Sequence, residues 1–336
     1  IMDNDAAVLS IGQASVVEGH AGTQTLTFPV TLNKATRSGF TLGYSTADGT
    51  ATVSDGDYVA AAPSSVLSFL GTAGEVQTAS IQVNGDKKIE ADEVFTLTIG
   101  DLSTSFNNRL TIPVASVTGT IKNDDSGVIT VTKADGSETG PSAGTFIFNL
   151  QSGVVSDAPA TINYTLSGTA GGNGQDYTGA TSGTIVLPAG ESRVVLTLPV
   201  IDDAIIENVE TVTVAVTSIQ SVYSGAFTVN PVFPVLSITD NDFATLTLSG
   251  PVQLAEGNSG TTAFNFTVTL DKATGNPFTV YYATADGTAT IADNDYIASG
   301  TVPLSFAGTA GESKTITVLA PGDLKLGGDE DFNLLL

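Results

Sequence analysis

Acidic side chains that could bind a cation recur at matched positions along this chain. One acid follows the first strand pattern of each repeat unit, and a second acid stands directly before a tyrosine in the middle of each unit. The offsets between equivalent acids are 118 to 120 residues, so the recurrence marks an internal repeat. The two sets are Glu18, Glu138 and Glu256, and Asp57, Asp176 and Asp295.

Further acids lie in a turn near the end of each unit and at the unit boundaries. We call residues 85–90, 202–207 and 322–327 the acidic turns of the three units. In a Greek-key sandwich alternate loops emerge at the same end, so these acids can converge there. The additional candidates in the two complete units are Asp86, Glu90, Asp124 and Asp125, and Asp202, Asp203, Glu207, Asp240 and Asp242.

Converging carboxylates favour calcium over other metals. Close like charges raise one another's pKa and oppose folding unless a cation with many oxygen ligands neutralises them. Calcium takes six to eight oxygens with flexible geometry, whereas magnesium keeps its waters and zinc prefers nitrogen and sulfur. His20 is the only histidine and the chain has no cysteine, which excludes a two-histidine or cysteine-based site.

The charge balance excludes several other classes of protein. The 336 residues contain 35 Asp and Glu against 11 Lys and Arg, a formal charge of −24. Such a surface repels phosphate backbones and anionic lipids, so we expect neither nucleic-acid binding nor membrane insertion of this segment. No apolar run approaches the roughly 18 residues of a membrane span. The chain opens at Ile1 with no basic or apolar leader region, so any signal peptide would lie outside this segment, and we interpret the chain as a fragment.

The hydrophobic pattern predicts strands throughout. Apolar residues alternate with Thr, Asn and Ser, as at positions 26–32, 146–150 and 264–270, and Gly, Asp and Asn clusters interrupt the pattern. The sequence therefore predicts an all-β chain of tandem immunoglobulin-like antiparallel β-sandwiches. We place the tail of a preceding repeat at residues 1–5, repeat one at 6–125, repeat two at 126–242 and an incomplete repeat three at 243–336. Residues 331–336 align with 93–98, so repeat three lacks its last strand.

The motifs resemble those of the Calx-beta family. They are Ala-Asp-Gly-Thr-Ala followed by Asp-Tyr, the segment 201–210 that contains the acidic turn of repeat two, and a terminal Ile-x-Asp-Asn-Asp. The resemblance implies calcium at one tip of each sandwich, beside the junction with the next repeat. It assigns the acids named above as ligands and adds Asp323 in repeat three. Glycines at 85, 322 and 327 replace acids of repeat two, so we expect repeat two to bind calcium most strongly.

These features lead to two hypotheses of function, neither of them enzymatic. The first is a calcium-binding segment of an extracellular adhesin, stalk or filament, in which calcium stiffens the junctions between repeats. Its partners would be calcium ions, the neighbouring repeats and, through the incomplete edge of repeat three, possible head-to-tail copies. The alternative is a calcium-sensing regulatory module of a larger transporter or enzyme.

Overall fold

A computed structural model describes residues 4–336, which form β-strands and loops and contain no helix. The predicted all-β sandwich class is thereby confirmed. The strands enclose three separate hydrophobic cores, one for each repeat. Most of the predicted tail of a preceding repeat, residues 1–3, lies outside the described residues, and the exact repeat boundaries stay a prediction. Within residues 4–336, no helix has the length and apolar character needed to cross a bilayer.

Repeat one is a two-sheet sandwich. Its sheets have the strand orders β6-β3-β1-β9 and β2-β10-β8-β4-β5. Pairing is antiparallel except where β1 meets β9 and where β2 meets β10, because the first strand switches from one sheet to the other. The strands are β1 (Ala7–Ile11), β2 (Ala14–Val17), β3 (Gly22–Leu32), β4 (Phe40–Ala47), β5 (Val66–Phe69), β6 (Val76–Gly85), β7 (Lys88–Ile89), β8 (Glu93–Gly100), β9 (Leu110–Thr111) and β10 (Ser116–Lys122).

Repeat two repeats this topology, with sheets ordered β17-β13-β11-β19 and β12-β20-β18-β15-β16. The parallel pairs are again the ones at the switching strand, β11 with β19 and β12 with β20. The strands are β11 (Gly127–Ala134), β12 (Gly136–Ser137), β13 (Gly144–Leu150), β14 (Val155–Ser156), β15 (Ala160–Gly168), β16 (Ser182–Leu187), β17 (Arg193–Leu198), β18 (Glu210–Gln220), β19 (Phe227–Val229) and β20 (Val235–Thr239).

Repeat three has two three-stranded sheets, β21-β22-β25 and β24-β23-β26. The strands are β21 (Leu246–Ser249), β22 (Thr261–Leu270), β23 (Phe278–Asp286), β24 (Val302–Phe306), β25 (Ser313–Pro321) and β26 (Phe332–Leu335). Within the described chain, β26 pairs with β23 alone, whereas its counterpart β8 lies between β4 and β10. Repeat three therefore lacks a counterpart of β10 in residues 4–336.

The sequence alignment of repeat three is wrong by one residue. The Phe332 ring stacks on Tyr296 with centroids 5.0 Å apart, as the Phe95 ring stacks on Tyr58 at 4.4 Å. Residue 332 is thus the counterpart of 95, and the aligned segment starts at Glu330 rather than 331. The stacked tyrosine fixes this register, since it is buried in the core of each repeat.

The first junction is made by the acidic turn of repeat one. Its strand β7 pairs in parallel with β14 of repeat two, and the amide of Asp157 donates to the carbonyl of Ile89 at 3.2 Å. The Ile89 side chain is fully buried and belongs to the core of repeat two, although the residue is part of repeat one. Gly127 leaves room for it, since a Cβ there would lie 3.1 Å from Ile89 Cδ1.

The second junction uses the equivalent residue, Ile206. Its amide donates to the carbonyl of Ala273 at 3.1 Å, and the amide of Gly275 donates to the carbonyl of Ile206 at 2.8 Å. An ion pair between Lys272 Nζ and Asp242 Oδ1 at 2.8 Å also joins repeats two and three. Two consecutive junctions are therefore built from the same position of the acidic turn.

Replacing Ile89 by alanine should destabilise repeat two more than repeat one. The substitution removes a fully buried side chain from the core of repeat two, which costs about 2–4 kcal/mol for an isoleucine. Hydrogen exchange of the β11 and β13 amides, followed with urea unfolding, measures the loss. Leu326→Ala is the matched control, because Leu326 holds the equivalent position in repeat three and is fully exposed. Equal effects of the two substitutions would contradict the packing described.

Candidate metal centres

The acid before each tyrosine is held by the core beneath it. Tyr58 is 2% exposed, and its hydroxyl donates to Asp48 Oδ1 at 2.6 Å. Asp57 Oδ2 accepts the amide of Thr52 at 2.7 Å, which closes the loop around the carboxylate. Asp295 and Tyr296 repeat this arrangement in repeat three with nearly the same distances. A buried aromatic ring thus aims each aspartate at the tip of its sandwich.

The acid after the first strand is positioned by parallel pairing. The amide of Glu18 donates to the carbonyl of Lys122 at 3.2 Å, and the amide of Glu138 donates to that of Thr239 at 3.0 Å. Both glutamates are 3% exposed as a result. Glu256 is exposed instead, because the described chain supplies no counterpart of β10 against which its segment could pair.

The acidic turn and the terminal acids hold one another in place. In repeat one, Asn123 Nδ2 donates to the carbonyl of Glu90 at 2.8 Å, and the amide of Gly19 donates to Asp124 Oδ1 at 3.1 Å. In repeat two, Asp240 takes the place of Asn123, and its Oδ2 accepts the amide of Glu207 at 2.7 Å. The end of each complete repeat is therefore hydrogen-bonded to its acidic turn, through Asn123 in repeat one and Asp240 in repeat two.

The aspartate at the second position of each acidic turn has a local structural role. Asp86 Oδ1 accepts the amide two residues ahead at 2.7 Å, and Asp203 and Asp323 do the same at 2.6 and 2.7 Å. Asp86 and Asp203 also lie close enough to raise the pKa of the glutamate after the first strand of their repeat. Asp323 is exposed and has no such neighbour among the described clusters.

Ligand atoms of the acids converge in four groups. In each group, one atom per residue lies within 4.8 Å of the others. Repeat one contributes two groups and repeat two the other two; no group of three involves the described residues of repeat three. The groups are His20, Asp124 and Asp125; Asp57, Glu90 and Glu93; Glu138, Asp202 and Asp242; and Asp176, Glu207 and Glu210.

Three glutamates in these sites were not identified from the sequence. Glu93 hydrogen-bonds to Asp57, Glu210 to Asp176 and, in repeat three, Glu330 to Asp295. Each glutamate comes three residues after position 90, 207 or 327. Glu93 and Glu210 open a strand and Glu330 lies two residues before one, where a glutamate looks like an ordinary solvent-facing residue. The spacing Glu-x-x-Glu in both complete repeats is the signal that could have revealed them. His20 was not among the candidates from the sequence; its side chain is exposed, and its Nδ1 lies 2.5 Å from Asp125 Oδ1.

Burial and crowding shift the protonation of these groups. Burial, followed by repulsion from Glu90 and the neighbouring aspartates, raises the pKa of Glu18 to about 8. Burial and repulsion from Asp240 and Asp203 raise the pKa of Glu138 to about 7. Burial also raises the pKa of Glu93 and Glu210, and the hydrogen bond to the paired aspartate adds to the shift. Without a cation the clusters thus retain protons that free carboxyls lose.

Several buried carboxylate oxygens in the clusters have no hydrogen-bond partner. They belong to both complete repeats, and a buried acceptor without a donor is costly. Hard cations bound in each of the two repeats would coordinate such oxygens, and a donor set made almost wholly of carboxylates fits calcium. The atoms are Glu18 Oε1, Asp125 Oδ2, Glu138 Oε2, Glu210 Oε2 and Asp242 Oδ2.

Repeat one carries a built-in cation that repeat two lacks. Lys88 Nζ lies 2.5 Å from Glu90 Oε2, whereas the equivalent residue of repeat two is Ile205. The missing acid of repeat one also has a structural reason. A Cβ on Gly85 would lie 2.0 Å from the carbonyl oxygen of Gly19, so an aspartate such as Asp202 cannot be accommodated there without a backbone shift. Both features agree with stronger binding by repeat two.

The metal-free protein should lose stability as the pH rises. Because the pKa of Glu18 rises from 4.5 to about 8 on folding and that of Glu138 to about 7, the folded state binds more protons between pH 4.5 and 8. The free energy of unfolding therefore falls through this window. Thermal melts in a chelator at pH 5, 6, 7 and 8 measure it, with Glu18→Gln plus Glu138→Gln expected to flatten the slope. Stability that rises with pH in the chelator would contradict the shifts.

Removing the built-in cation should strengthen calcium binding to repeat one. Lys88→Ala eliminates a partly exposed ion pair worth about 1 kcal/mol or less, so the Kd should fall about threefold to fivefold. Titration calorimetry measures the change. Lys87→Ala is the control: it removes the same charge one residue away, from an exposed side chain outside the described ion pairs. Equal effects of both substitutions would mean that only net charge matters.

Comparisons with known proteins give the following similarities. The CBD12 segment of CALX1.2 is 19% identical and covers 62% of this chain and 79% of its own, with a TM-score of 0.29. The apo-form Calx CBD1 domain is 24% identical and covers 36% of this chain and 100% of its own, with a TM-score of 0.30. A comparison with the curated proteins finds no match. The family model of the Calx-beta domain matches residues 3–126, 143–242 and 240–336. The chain therefore belongs to the Calx-beta family of calcium-binding domains, which it carries in tandem.

Proposed function

We propose that this chain is a calcium-binding segment in which calcium stiffens the junctions between repeats. The observation that carries the proposal is the adjacency of a cluster residue and a junction residue in the acidic turn. Glu90 belongs to a carboxylate group and follows Ile89, which is inserted in repeat two. Glu207 follows Ile206, which pairs with repeat three. A cation that fixes the glutamate also fixes the residue that joins the repeats.

Without calcium, repulsion between the carboxylates favours a loosened junction. Without metal, each complete repeat gathers carboxylates whose charges repel and whose oxygens stay unsatisfied at the tip beside the junction. Relief then requires either protonation or separation of the loops that carry these acids. Separation moves the acidic turn, and with it the isoleucine that docks on the next repeat. Bound calcium neutralises this repulsion, so the acidic turn and its isoleucine stay in place.

This mechanical role suits an extracellular adhesin, stalk or filament. Consecutive repeats join with almost no linker, since strand β10 ends at Lys122 and β11 begins at Gly127. Stiff tandem sandwiches hold a distant part of a protein away from a surface, and calcium is abundant outside cells. We propose no catalytic role, because the chain has no cysteine and a single histidine, and the acids of the four groups lie against one another.

Spin labels across the first junction test the proposal. The chain has no cysteine, so label pairs can be introduced at exposed strand positions such as Ser68 and Thr197 without removing a native thiol. We expect a narrow distance distribution with calcium and a broad one with chelator, and Glu90→Gln should broaden the calcium state. Asp323→Asn is the matched control, since Asp323 belongs to none of the four described groups. Distributions that do not respond to calcium would refute the stiffening.

A calcium-sensing module of a larger transporter or enzyme is the second candidate. It is favoured by the difference between the clusters, since Lys88 competes with calcium in repeat one and nothing equivalent does so in repeat two. Sites of unequal strength would respond over a range of calcium concentrations. Calorimetry separates the candidates: sites filled at submicromolar calcium fit a permanent structural role, whereas weak, stepwise filling fits a sensor.

A further inference from the structure

A cavity of about 100 Å³ opens at the end of repeat one that lies away from repeat two. The loop between β3 and β4 forms one wall with Lys34, Ala35 and Arg37, and Phe106 and Arg109 form another. None of these residues belongs to the carboxylate groups of the metal centres. The cavity therefore needs an explanation of its own.

The same loop of repeat three is already occupied. Residues 271–275 follow β22 as residues 33–37 follow β3, and they receive Ile206 from the acidic turn of repeat two. The two loops have one conformation. The amide of Thr36 donates to Gly71 O at 2.9 Å and its hydroxyl to Ser38 O at 2.9 Å; Thr274 makes the equivalent bonds at 2.9 and 2.8 Å. Repeat one thus presents a preformed copy of an occupied docking loop.

The backbone groups that receive Ile206 in repeat three have no described partner in repeat one. There, the carbonyl of Ala273 accepts the Ile206 amide and the amide of Gly275 donates to the Ile206 carbonyl. The corresponding carbonyl of Ala35 and amide of Arg37 make no hydrogen bond with any residue in 4–336. The Ala35 carbonyl and the Arg37 amide therefore offer one acceptor and one donor, with the spacing that a parallel β-bridge requires.

The charge of the cavity selects an acidic partner. Lys34, Arg37 and Arg109 are three of only 11 basic residues in a chain with 35 acids, and Asp5 is the only acid in the lining. Lys34 corresponds to Lys272, which binds Asp242 at the second junction. Arg37 corresponds to Gly275, where a Cβ would lie 3.3 Å from Glu207 Oε1. A docked glutamate would therefore meet the side chain of Arg37.

We propose that this cavity docks the isoleucine–glutamate acidic turn of a further Calx-beta repeat joined in front of repeat one. The isoleucine fills the cavity, its backbone bridges Ala35 and Arg37, and its glutamate pairs with Arg37. Connection in the same chain is favoured because Asp5 lines the cavity itself and stands four residues before Leu9, as Asp242 stands four residues before the equivalent Leu246. The proposal rests on the junction geometry of the proposed function and not on calcium.

Hydrogen exchange on an extended chain tests this docking. A copy of residues 126–242 is fused directly before Ala6, so that its last residue takes the place of Asp5. We expect exchange of the Arg37 amide to slow about tenfold or more, toward that of the Gly275 amide in the same molecule. Fast exchange of the Arg37 amide while the Gly275 amide is protected would overturn the proposal. Slow exchange of the amides that correspond to β11 in the added copy shows that the copy has folded.

Two variants and two further measurements complete the test. Replacing the added copy's counterpart of Ile206 by aspartate should restore fast exchange at Arg37 while Gly275 stays protected. Lys34→Glu with Arg37→Glu should do the same at residue 37 without touching the added repeat; unchanged protection would contradict the charge argument. Protection at Arg37 that develops with concentration in the original chain would name a second copy as the occupant and overturn connection in the same chain. Repeating the measurement in chelator separates docking from calcium stiffening.

Discussion

Crowding of carboxylates at the tip of each complete repeat is the constraint on which the other features depend. Burial holds Glu18 and Glu138 at 3% exposure, among other acids and with one oxygen each lacking a partner. The buried tyrosines and parallel strand pairs that place these acids are part of the core and cannot relax without loosening the sandwich. The fold therefore places repelling carboxylates together, and their repulsion is reduced by protonation and would be neutralised by a bound calcium ion.

The same turn that supplies cluster acids also joins the repeats. Ile89 leaves its own sandwich and fills the core of repeat two, whereas Ile206 makes a backbone bridge to repeat three and stays half buried. The junctions are thus built on one plan but differ in depth, because repeat two has two more residues than repeat three in its receiving loop. In both, the junction residue and the adjacent glutamate share a backbone, so neither moves independently.

The repeat period and the alternation of apolar residues were sufficient to predict the all-β sandwich class. They also indicated most acids of the four groups, because recurrence at matched positions is visible in one sequence. Glu93 and Glu210 were missed since a glutamate at the start of a strand looks like a solvent-facing residue until the neighbouring Asp57 or Asp176 is placed beside it. The insertion of Ile89 into the core of repeat two could not be predicted, because a single apolar residue in a turn belongs to no periodic hydrophobic pattern. Glu256 shows the reverse: its position matches Glu18, but burial requires a strand that residues 4–336 do not contain.

The central claim is that calcium in the clusters is coupled to the contact between repeats. The Asp157 amide reports on it directly, because it belongs to repeat two and donates to Ile89 of the acidic turn of repeat one at 3.2 Å. Its hydrogen-exchange rate, compared in saturating calcium and in chelator at one pH, measures the stability of that contact alone. The account predicts markedly slower exchange with calcium; equal rates in the two conditions would contradict it.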